Sequence, residues 1–181
     1  MIRIIGGKHR SRIIETPPSE IVLPTKNMVR EALFSILGRK VINAVALDLF
    51  AGSGALGLEA LSRGADKVYF SDFHPEPIKV IYRNVEALKE DTHVEIHHCD
   101  FNEMLDYLER NKITIDIVFV DPPYASGYYE AVIHRLLISS SVGAGARIAI
   151  ESKDEISPSI YQGFESRHYR YGKTHLLILS K

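Results

Sequence analysis

Two segments of this 181-residue chain combine residue types that suit ligand binding and group transfer. The first covers residues 48–57 and spaces Gly52, Gly54 and Gly57 as G-x-G-x-x-G. Glycines in such a turn let the backbone approach a ligand, and the helix that follows points N–H groups towards it. Dinucleotide-binding proteins share this pattern and an acid about 20 residues further on, which is Asp72 here. The turn therefore predicts a ligand site but leaves the class of ligand open.

Four aspartates follow the expected ends of strands, where open α/β sheets bind their ligands: Asp48, Asp72, Asp100 and Asp121. Four converging carboxylates would repel a pyrophosphate but would suit a ligand that carries an amine and a sulfonium. S-adenosylmethionine is such a ligand, and a P-loop is excluded because no Gly-Lys-Ser/Thr follows the turn. The alternative interpretation, that aspartates at strand ends cap helices or begin turns, accounts for one or two of the four.

The second segment is Asp121-Pro122-Pro123-Tyr124, which follows an apolar run. The two prolines fix the backbone after the acid and remove two N–H donors, so the local polar groups are acceptors. Fixed acceptors suit the exocyclic NH₂ of a nucleobase, because they orient its two protons and favour the pyramidal geometry that attacks a methyl group. Tyr124 offers an aromatic face to a base that has left its stack. The segment predicts methyl transfer to a base, and the alternative is a simple strand end and turn.

Short β-branched runs alternate with amphipathic stretches from residue 44 onward, which is typical of a parallel sheet flanked by helices. The predicted strands cover residues 45–50, 67–71, 94–98, 115–120 and 147–151, and the predicted helices cover residues 55–63, 76–89, 102–110 and 128–138. Extended runs at 163–169 and 174–179 predict a closing antiparallel hairpin. The expected fold class is α/β, with a mostly parallel sheet of seven strands and helices on both faces.

The N-terminal region differs from the rest of the chain in charge. Residues 1–40 contain eight Lys or Arg against three acids, a balance of +5, and the other 141 residues have a balance of −6. Extended runs at 3–5 and 12–15 surround a glycine turn, and a helix is expected from about residue 26 to 37, ended by Gly38. We expect a basic arm or hairpin over residues 1–24 and one main domain over residues 25–181. The basic end indicates contact with a polyanion, with chance placement of solvated charges as the alternative.

Composition places the chain among ordinary globular proteins, with 45% hydrophobic and 25% charged residues, and excludes collagen, coiled coil and intrinsic disorder. Cys99 is the single cysteine, and no Cys/His spacing resembles a zinc site, so we expect a reducing compartment and no metal. No apolar run reaches the roughly 18 residues of a membrane span, and the N-terminus has no apolar region of the signal type. The expectation is a cytoplasmic monomer without a membrane partner.

The sequence resembles the RsmD family, which consists of class I, Rossmann-like, S-adenosylmethionine-dependent methyltransferases. Members are bacterial enzymes that methylate the N2 amino group of one guanine in small-subunit (16S) ribosomal RNA. The resemblance covers nearly the whole chain and rests on residues 3–8, 24–25, 29–34, 48–54, 59–65, 121–124 and 170–174. This chain has Leu23 where members usually carry Arg, and Asp72 where they often carry Glu.

The resemblance implies roles for individual residues. It assigns the cofactor site to Asp48, Phe50, Ala51, Gly52, Ser53, Gly54, Asp72, Phe73, Asp100 and Phe101. In that site Asp72 would hold the ribose hydroxyls, Phe73 would lie against the adenine, and Asp100 with Phe101 would address the adenine edge. It assigns the guanine site to Asp121, Pro122, Pro123 and Tyr124, and phosphate contacts to Lys8, Arg10 and Arg12. The product would be S-adenosylhomocysteine, with no metal needed.

Three alternatives stay open at this point. The Asp-Pro-Pro-Tyr tetrapeptide also serves adenine-N6 methylation of DNA or RNA, although no separate region of the chain is large enough to recognise a duplex sequence. The second alternative is a nucleotide-binding regulator or assembly factor without catalytic activity. The third is a dinucleotide-dependent oxidoreductase. The sequence also leaves open whether the substrate is free small-subunit RNA or a partly assembled subunit.

Overall fold

The computed structural model describes residues 2–18, 24–122 and 128–181. Within these residues the strands are, in chain order, β1 (Ile2–Arg3), β2 (Ile13–Ile14), β3 (Val45–Asp48), β4 (Lys67–Asp72), β5 (Val94–His98), β6 (Ile115–Val120), β7 (Val142–Ser152), β8 (Glu165–Tyr171) and β9 (Thr174–Ser180). The α-helices are α1 (Pro24–Leu37), α2 (Ala55–Ser62), α3 (Pro75–Leu88), α4 (Phe101–Arg110) and α5 (Tyr128–Ile138). Short 3₁₀ helices cover Gly38–Val41, Asp91–His93 and Pro158–Tyr161. Three residues of the predicted motifs, Leu23, Pro123 and Tyr124, lie outside the described residues.

Seven of the strands form one sheet in the order β5-β4-β3-β6-β7-β9-β8. Strands β3 to β7 pair in parallel, whereas β9 is antiparallel to both β7 and β8. The predicted α/β class with a mostly parallel sheet and a closing hairpin is confirmed. The chain order reverses between β3 and β6, so the connections that leave these two strands diverge and open a crevice at their carboxyl ends.

Helices cover both faces of the sheet because its central strands are apolar on both sides. On one face, α1, α2 and α3 contribute Phe34, Leu58 and Ile81 to a buried cluster. On the other face, α4 and α5 contribute Leu105 and Ile133 to a second cluster. None of the described helices is long and apolar enough to cross a membrane.

The predicted boundaries mostly agree with the structure to within two residues, and the main difference is at β7. This strand begins at Val142 instead of residue 147. Its first half contains Gly143 and Gly145, which weaken the local preference for a strand. Val142 nevertheless pairs with Ile115, and the Gly145 N–H donates to the carbonyl of Lys181. Partners that are distant in the chain therefore extend β7 beyond what its own residues indicate.

Residues 2–18 contain a small hairpin in which β1 pairs with β2 in antiparallel fashion. The hairpin packs against α2, where the buried carboxylate of Glu59 accepts the N–H of Ile5 at 2.7 Å and the N–H of Gly6 at 2.8 Å. Gly7 has φ +75°, and an added Cβ would lie 1.7 Å from the carbonyl oxygen of Ser62. A side chain therefore does not fit at Gly7, and close backbone contact holds this turn against the end of α2.

The turn of the hairpin lies at the edge where the parallel strands begin, here called the strand-start edge. Helix α2 leads from the end of β3 back to the start of the parallel strand β4, so its last residue, Ser62, lies at that edge. The Lys8 N–H donates to the Ser62 carbonyl at 2.8 Å. The basic turn of the hairpin therefore lies at the edge of the sheet opposite to the carboxyl ends of the strands.

An ion-pair network joins α4 to α5, the two helices on the face of the sheet opposite to α1, α2 and α3. Arg135 donates through Nη1 and Nη2 to the two carboxylate oxygens of Glu109, at 2.8 and 2.9 Å, and also reaches Asp106 at 2.8 Å. The Ser139 hydroxyl donates to Glu109 at 2.6 Å. These hydrogen bonds, first those from Arg135 and then that from Ser139, lower the pKa of Glu109 to about 2.

We expect the protein to lose stability as the pH falls from about 4.5, the ordinary pKa of Glu109, to its folded-state pKa of about 2. The folded-state pKa is the lower one, so the unfolded chain binds more protons in this window and the stabilisation present above it is lost. Glu109→Gln should lower the free energy of unfolding at pH 7 by about 1 kcal/mol, the size of a partly exposed ion pair. Urea denaturation at pH 7 and at pH 3 measures both effects.

Glu76→Gln is the matched control, because the Glu76–Lys79 pair on α3 is exposed on both sides. Its effect on the free energy of unfolding should be smaller than that of Glu109→Gln. If acidification lowers the free energy of unfolding equally in wild type and in Glu109→Gln, the loss of stability at low pH is not due to protonation of Glu109.

Candidate active site

The carboxyl ends of β3, β4, β5 and β6 meet at one edge of the sheet, here called the carboxyl edge. Asp48 and Asp72 are the last residues of β3 and β4, Asp121 directly follows β6, and Asp100 lies two residues beyond β5. The register pairs Asp48 with Phe119, near the end of β6, so these two strands end at similar levels. The structure thus brings the four predicted aspartates to the edge at which the crevice opens.

The glycine turn is held by the strands below it. Asp48 is buried, and its Oδ2 accepts the N–H of Gly57 at 2.9 Å, which ties β3 to the first turn of α2. The Ala51 N–H donates to the carbonyl of Ser71 at 3.0 Å. Gly54 has φ +78°, a left-handed conformation that a side chain would strain. Asp48 therefore acts inside the protein, as the support of the turn.

Asp72 joins the glycine turn to the loop that follows β4. Its Oδ2 accepts the N–H of Gly52 and its Oδ1 accepts the N–H of His74, both at 2.9 Å. The neighbouring Phe73 ring is 68% exposed, and a His98 ring nitrogen lies 2.9 Å from the Phe73 carbonyl oxygen. A half-buried carboxylate thus lies beside an exposed aromatic side chain, a pair suited to a ribose and to a base.

Asp100 caps helix α4. Its Oδ1 accepts the N–H groups of Asn102 and Glu103 at 2.8 and 2.9 Å, and the Glu103 side chain accepts the Asp100 N–H at 3.0 Å. The capping interpretation therefore holds at this aspartate, and both bonds use one carboxylate oxygen. The adjacent Cys99 thiol is half-buried; burial, followed by the charges of Glu103 and Asp100, raises its pKa to about 11.

Three aromatic rings lie together at the same edge. Phe50 is 6.2 Å from Phe101 and 6.2 Å from Tyr128 between ring centroids, and Phe101 is 6.3 Å from Tyr128. Phe50 and Phe101 belong to the predicted cofactor site, whereas Tyr128 does not. Tyr128 lies at the start of α5 and is 42% exposed, so it forms part of the surface of this edge.

The proline motif begins beside the glycine turn because β3 and β6 are neighbouring strands. The Leu49 N–H donates to the Phe119 carbonyl at 3.1 Å, so the residues that follow these two leave the sheet side by side. Asp121 is half-buried and Pro122 is buried. Only these two residues of the motif are described, and the roles of all four residues of the motif stay predictions.

The sequence patterns missed Asn84, which connects the hairpin to the glycine turn. This buried side chain exchanges two hydrogen bonds with the backbone of Glu15, at 2.8 and 3.0 Å, and donates to the carbonyl of Ser53 at 3.0 Å. A signal was present, because Asn84 is a polar residue beside Ile81 and Val85 on the apolar face of α3. Glu59 gave a similar signal, because it is the one charged residue of helix α2.

The three arm cations predicted to contact RNA have different surroundings. The Lys8 ammonium is 2.7 Å from the buried carboxylate of Glu90, and Arg12 donates to the carbonyl of Ala87 at 2.9 Å. Burial acts to raise the pKa of Glu90, but hydrogen bonds from Lys8 and His9 outweigh it and lower that pKa. Arg10 is exposed. Two of the three cations therefore use part of their hydrogen-bonding capacity within the protein.

This strand order, with a glycine turn after the first strand of the sheet and acids at the carboxyl edge, defines the chain as a Rossmann-like class I methyltransferase. Among solved structures, "Putative methyltransferase yhhF from Escherichia coli" superposes with a TM-score of 0.86 and 31% sequence identity, covering 99% of this chain and 97% of that chain. The family model described as "Conserved hypothetical protein 95" matches residues 2–180. The chain belongs to that family, which is the RsmD family that its motifs resemble.

Two relatives have names that describe an activity. The chain is 36% identical over 154 residues to "Ribosomal RNA small subunit methyltransferase D" of Escherichia coli strain K12, covering 85% of this chain and 76% of the relative. It is 30% identical over 132 residues to "Putative rRNA methyltransferase YlbH" of Bacillus subtilis strain 168, covering 73% of this chain and 72% of the relative. The chain is therefore an enzyme of the methyltransferase class.

Asp72→Asn tests whether the Asp72 carboxylate holds the glycine turn in the shape that binds S-adenosylmethionine. The amide keeps the shape of the carboxylate but has one acceptor oxygen, so either the Gly52 N–H or the His74 N–H loses its partner. A hydrogen bond to a charged group contributes about 1.5–3 kcal/mol, so the affinity for S-adenosylmethionine should fall about tenfold to a hundredfold. Isothermal titration calorimetry measures it. Asp91→Asn, on an exposed turn, is the control, and an unchanged Kd in Asp72→Asn would refute the assignment.

Proposed function

We propose that this enzyme transfers a methyl group from S-adenosylmethionine to the N2 amino group of a guanine in small-subunit (16S) ribosomal RNA. The observation that carries the proposal is the junction at the carboxyl edge, where Asp121-Pro122 leaves the sheet beside the glycine turn of β3. Membership of the RsmD family and the names of the relatives supply the substrate class.

The residues at the carboxyl edge fit the proposed cofactor chemically. When bound, S-adenosylmethionine supplies an electrophilic methyl group on a sulfonium. The carboxylate of Asp72 suits the ribose hydroxyls, and the exposed ring of Phe73 suits the adenine face. The Asp100 carboxylate and the Phe101 ring lie at the end of the next strand, where they address the adenine edge. Asp48 supports the turn made by the remaining cofactor residues, which are Phe50, Ala51, Gly52, Ser53 and Gly54.

The guanine site is assigned to Asp121, Pro122, Pro123 and Tyr124. Asp121 and the neighbouring carbonyls accept the two N2 protons, which directs the nitrogen lone pair towards the methyl carbon. The N–C bond forms as the S–C bond breaks, S-adenosylhomocysteine is released, and the proton lost from N2 passes to Asp121 or to water. Tyr124 stacks on the guanine after it has left its own stack.

We assign RNA contact to the arm over residues 1–24 and catalysis to the domain over residues 25–181. Lys8, Arg10 and Arg12 contact phosphates and contribute affinity that decreases as salt increases. The substrate is small-subunit RNA, free or in a partly assembled subunit, and the enzyme works as a cytoplasmic monomer.

Radiolabelled methyl transfer tests the proposed reaction directly. Small subunits, free small-subunit RNA and DNA are incubated in parallel with labelled S-adenosylmethionine, and the modified nucleoside is identified by mass spectrometry after digestion. The expected product is N2-methylguanosine from ribosomal RNA. Methylation of adenine N6 with guanine unmodified, or no transfer to any ribosomal substrate, would overturn the proposal.

Asp121→Ala should lower kcat about 10²–10³-fold, the effect of removing one fixed group that stabilises the transition state. The affinity for S-adenosylmethionine should stay close to that of wild type, because the glycine turn and Asp72 remain. Single-turnover transfer and calorimetric titration separate the two quantities. Asp91→Ala, which removes an exposed carboxylate from the Asp91–His93 turn, is the control for loss of charge. Full methyl transfer by Asp121→Ala would show that Asp121 does not orient the amino group.

A further inference from the structure

A cleft on the strand-start edge is independent of the site just described. It lies between the C-terminal part of α1 and the β8–β9 hairpin, with a volume of about 420 Å³. Its lining includes Ile36, Lys40, Arg147, Glu165, Arg167 and Ile178. A second depression of about 230 Å³ shares Lys40 and Arg147 with the cleft. The two cavities therefore adjoin at these two cations, and the second is also lined by an acid, Asp116, whose Oδ2 accepts the N–H of Val45 at 2.8 Å.

The position of Arg147 places this cleft opposite the reaction site. Arg147 pairs with Ile117, near the start of β6, and with Ser180 at the end of the antiparallel strand β9. Lys40 precedes β3, whose last residue, Asp48, lies at the carboxyl edge. A strand of six residues such as β4 is about 20 Å long, so the cleft and the reaction site lie on opposite edges about that far apart.

The cations of the cleft have few partners within the protein. Lys40 and Arg167 are exposed, and no ion pair joins either of them to an acid among the described residues. Arg147 donates through Nη1 to the carbonyls of Gly145 and Ala146, which are neutral groups. Three positive charges thus face a cleft whose lining contains one acid, Glu165, in the described part of the chain. This arrangement leaves net positive charge for an anionic ligand.

The cleft and the basic turn of the hairpin lie on the same edge and are connected through the end of α2. The Lys8 N–H donates to the Ser62 carbonyl at 2.8 Å, and the Asn43 N–H donates to the Gly64 carbonyl at 2.7 Å. Asn43 follows Lys40 by three residues and lines the second depression. A polyanion that contacts the turn therefore meets further cations along the same edge. A single small anion would need only one of these groups of cations.

We infer that the cleft between α1 and the β8–β9 hairpin is a second RNA-binding site, in which Lys40, Arg147 and Arg167 hold backbone phosphates of the substrate RNA. The inference rests on the proposed function, since the same RNA presents its guanine at the carboxyl edge. The half-buried Ile36 supplies an apolar contact for a sugar between the phosphates. An RNA that reaches both edges has to extend over about 20 Å, the length of the central strands. A short oligonucleotide around the target guanine is therefore a poorer substrate than a folded RNA domain.

The test compares two double variants that lose the same charge from the same edge of the sheet. Lys40→Gln/Arg167→Gln removes two cleft cations, whereas Arg110→Gln/Lys112→Asn removes two exposed cations at the end of α4, on the other face. Asn is chosen at Lys112 because this residue has φ +56°, which Asn tolerates. Binding of transcribed small-subunit RNA is measured from 50 to 200 mM salt.

The cleft variant should bind this RNA about tenfold or more weakly at 50 mM salt, and the slope of log K against log salt should decrease by about 1 to 2. Its KM for RNA should rise, while its kcat at saturating RNA and its Kd for S-adenosylmethionine stay at the wild-type values. The control variant should keep the wild-type slope. Lys40→Arg/Arg167→Lys, which keeps both charges, should restore RNA binding, and this excludes misfolding as the cause.

Equal RNA affinity and salt slope in the cleft variant and wild type, with methyl transfer intact, would overturn the inference and leave the proposed function standing. Binding of inorganic phosphate that the cleft variant loses, with RNA affinity unchanged, would also overturn it and identify a site for a small anion. If wild type transfers no methyl group to ribosomal RNA, both proposals fail.

Discussion

The parallel pairing of β3 with both β4 and β6 is the constraint on which the rest of the site depends. Parallel strands that share a register end together, so the backbone leaves the sheet at one edge three times within about 10 Å. The glycine turn, the acid of β4 and the proline motif are the three segments that leave there. The reversal of strand order at β3 and β6 separates their connections and leaves the crevice open.

Buried polar side chains determine how the N-terminal hairpin meets this framework. Glu59 and Asn84 are each almost fully buried, and burial of such groups is costly unless they are hydrogen-bonded. Their partners are backbone groups of the hairpin, whose directions are fixed, so the hairpin has one docked position. Asn84 also binds the Ser53 carbonyl, so the hairpin runs from the strand-start edge to the glycine turn. The arm to which the proposed function assigns RNA contact is thus linked to the glycine turn through the side chain of Asn84.

The distribution of charge distinguishes the two edges of the sheet. A net charge of −1 hides an acidic carboxyl edge and a strand-start edge with exposed cations. Lys8, whose ammonium pairs with the buried carboxylate of Glu90, attracts a polyanion less than a cation without an acidic partner. Lys40 and Arg167 have no ion-pair partner among the described residues, and this difference in surroundings favours the cleft as a place for phosphates.

The sequence alone was sufficient to predict the order of the elements, the glycine turn and the positions of the four aspartates at the strand ends, because these depend on local periodicity and turn chemistry. It also carried the resemblance to the family that the comparisons confirm. Contacts formed in the folded chain show that Asp48 supports the turn and that Asn84 joins the hairpin to Ser53. They also set the length of β7 and the surroundings of each cation. These features are hydrogen bonds and charge contacts whose partners are mostly far apart in the chain, and local residue patterns do not specify such partners.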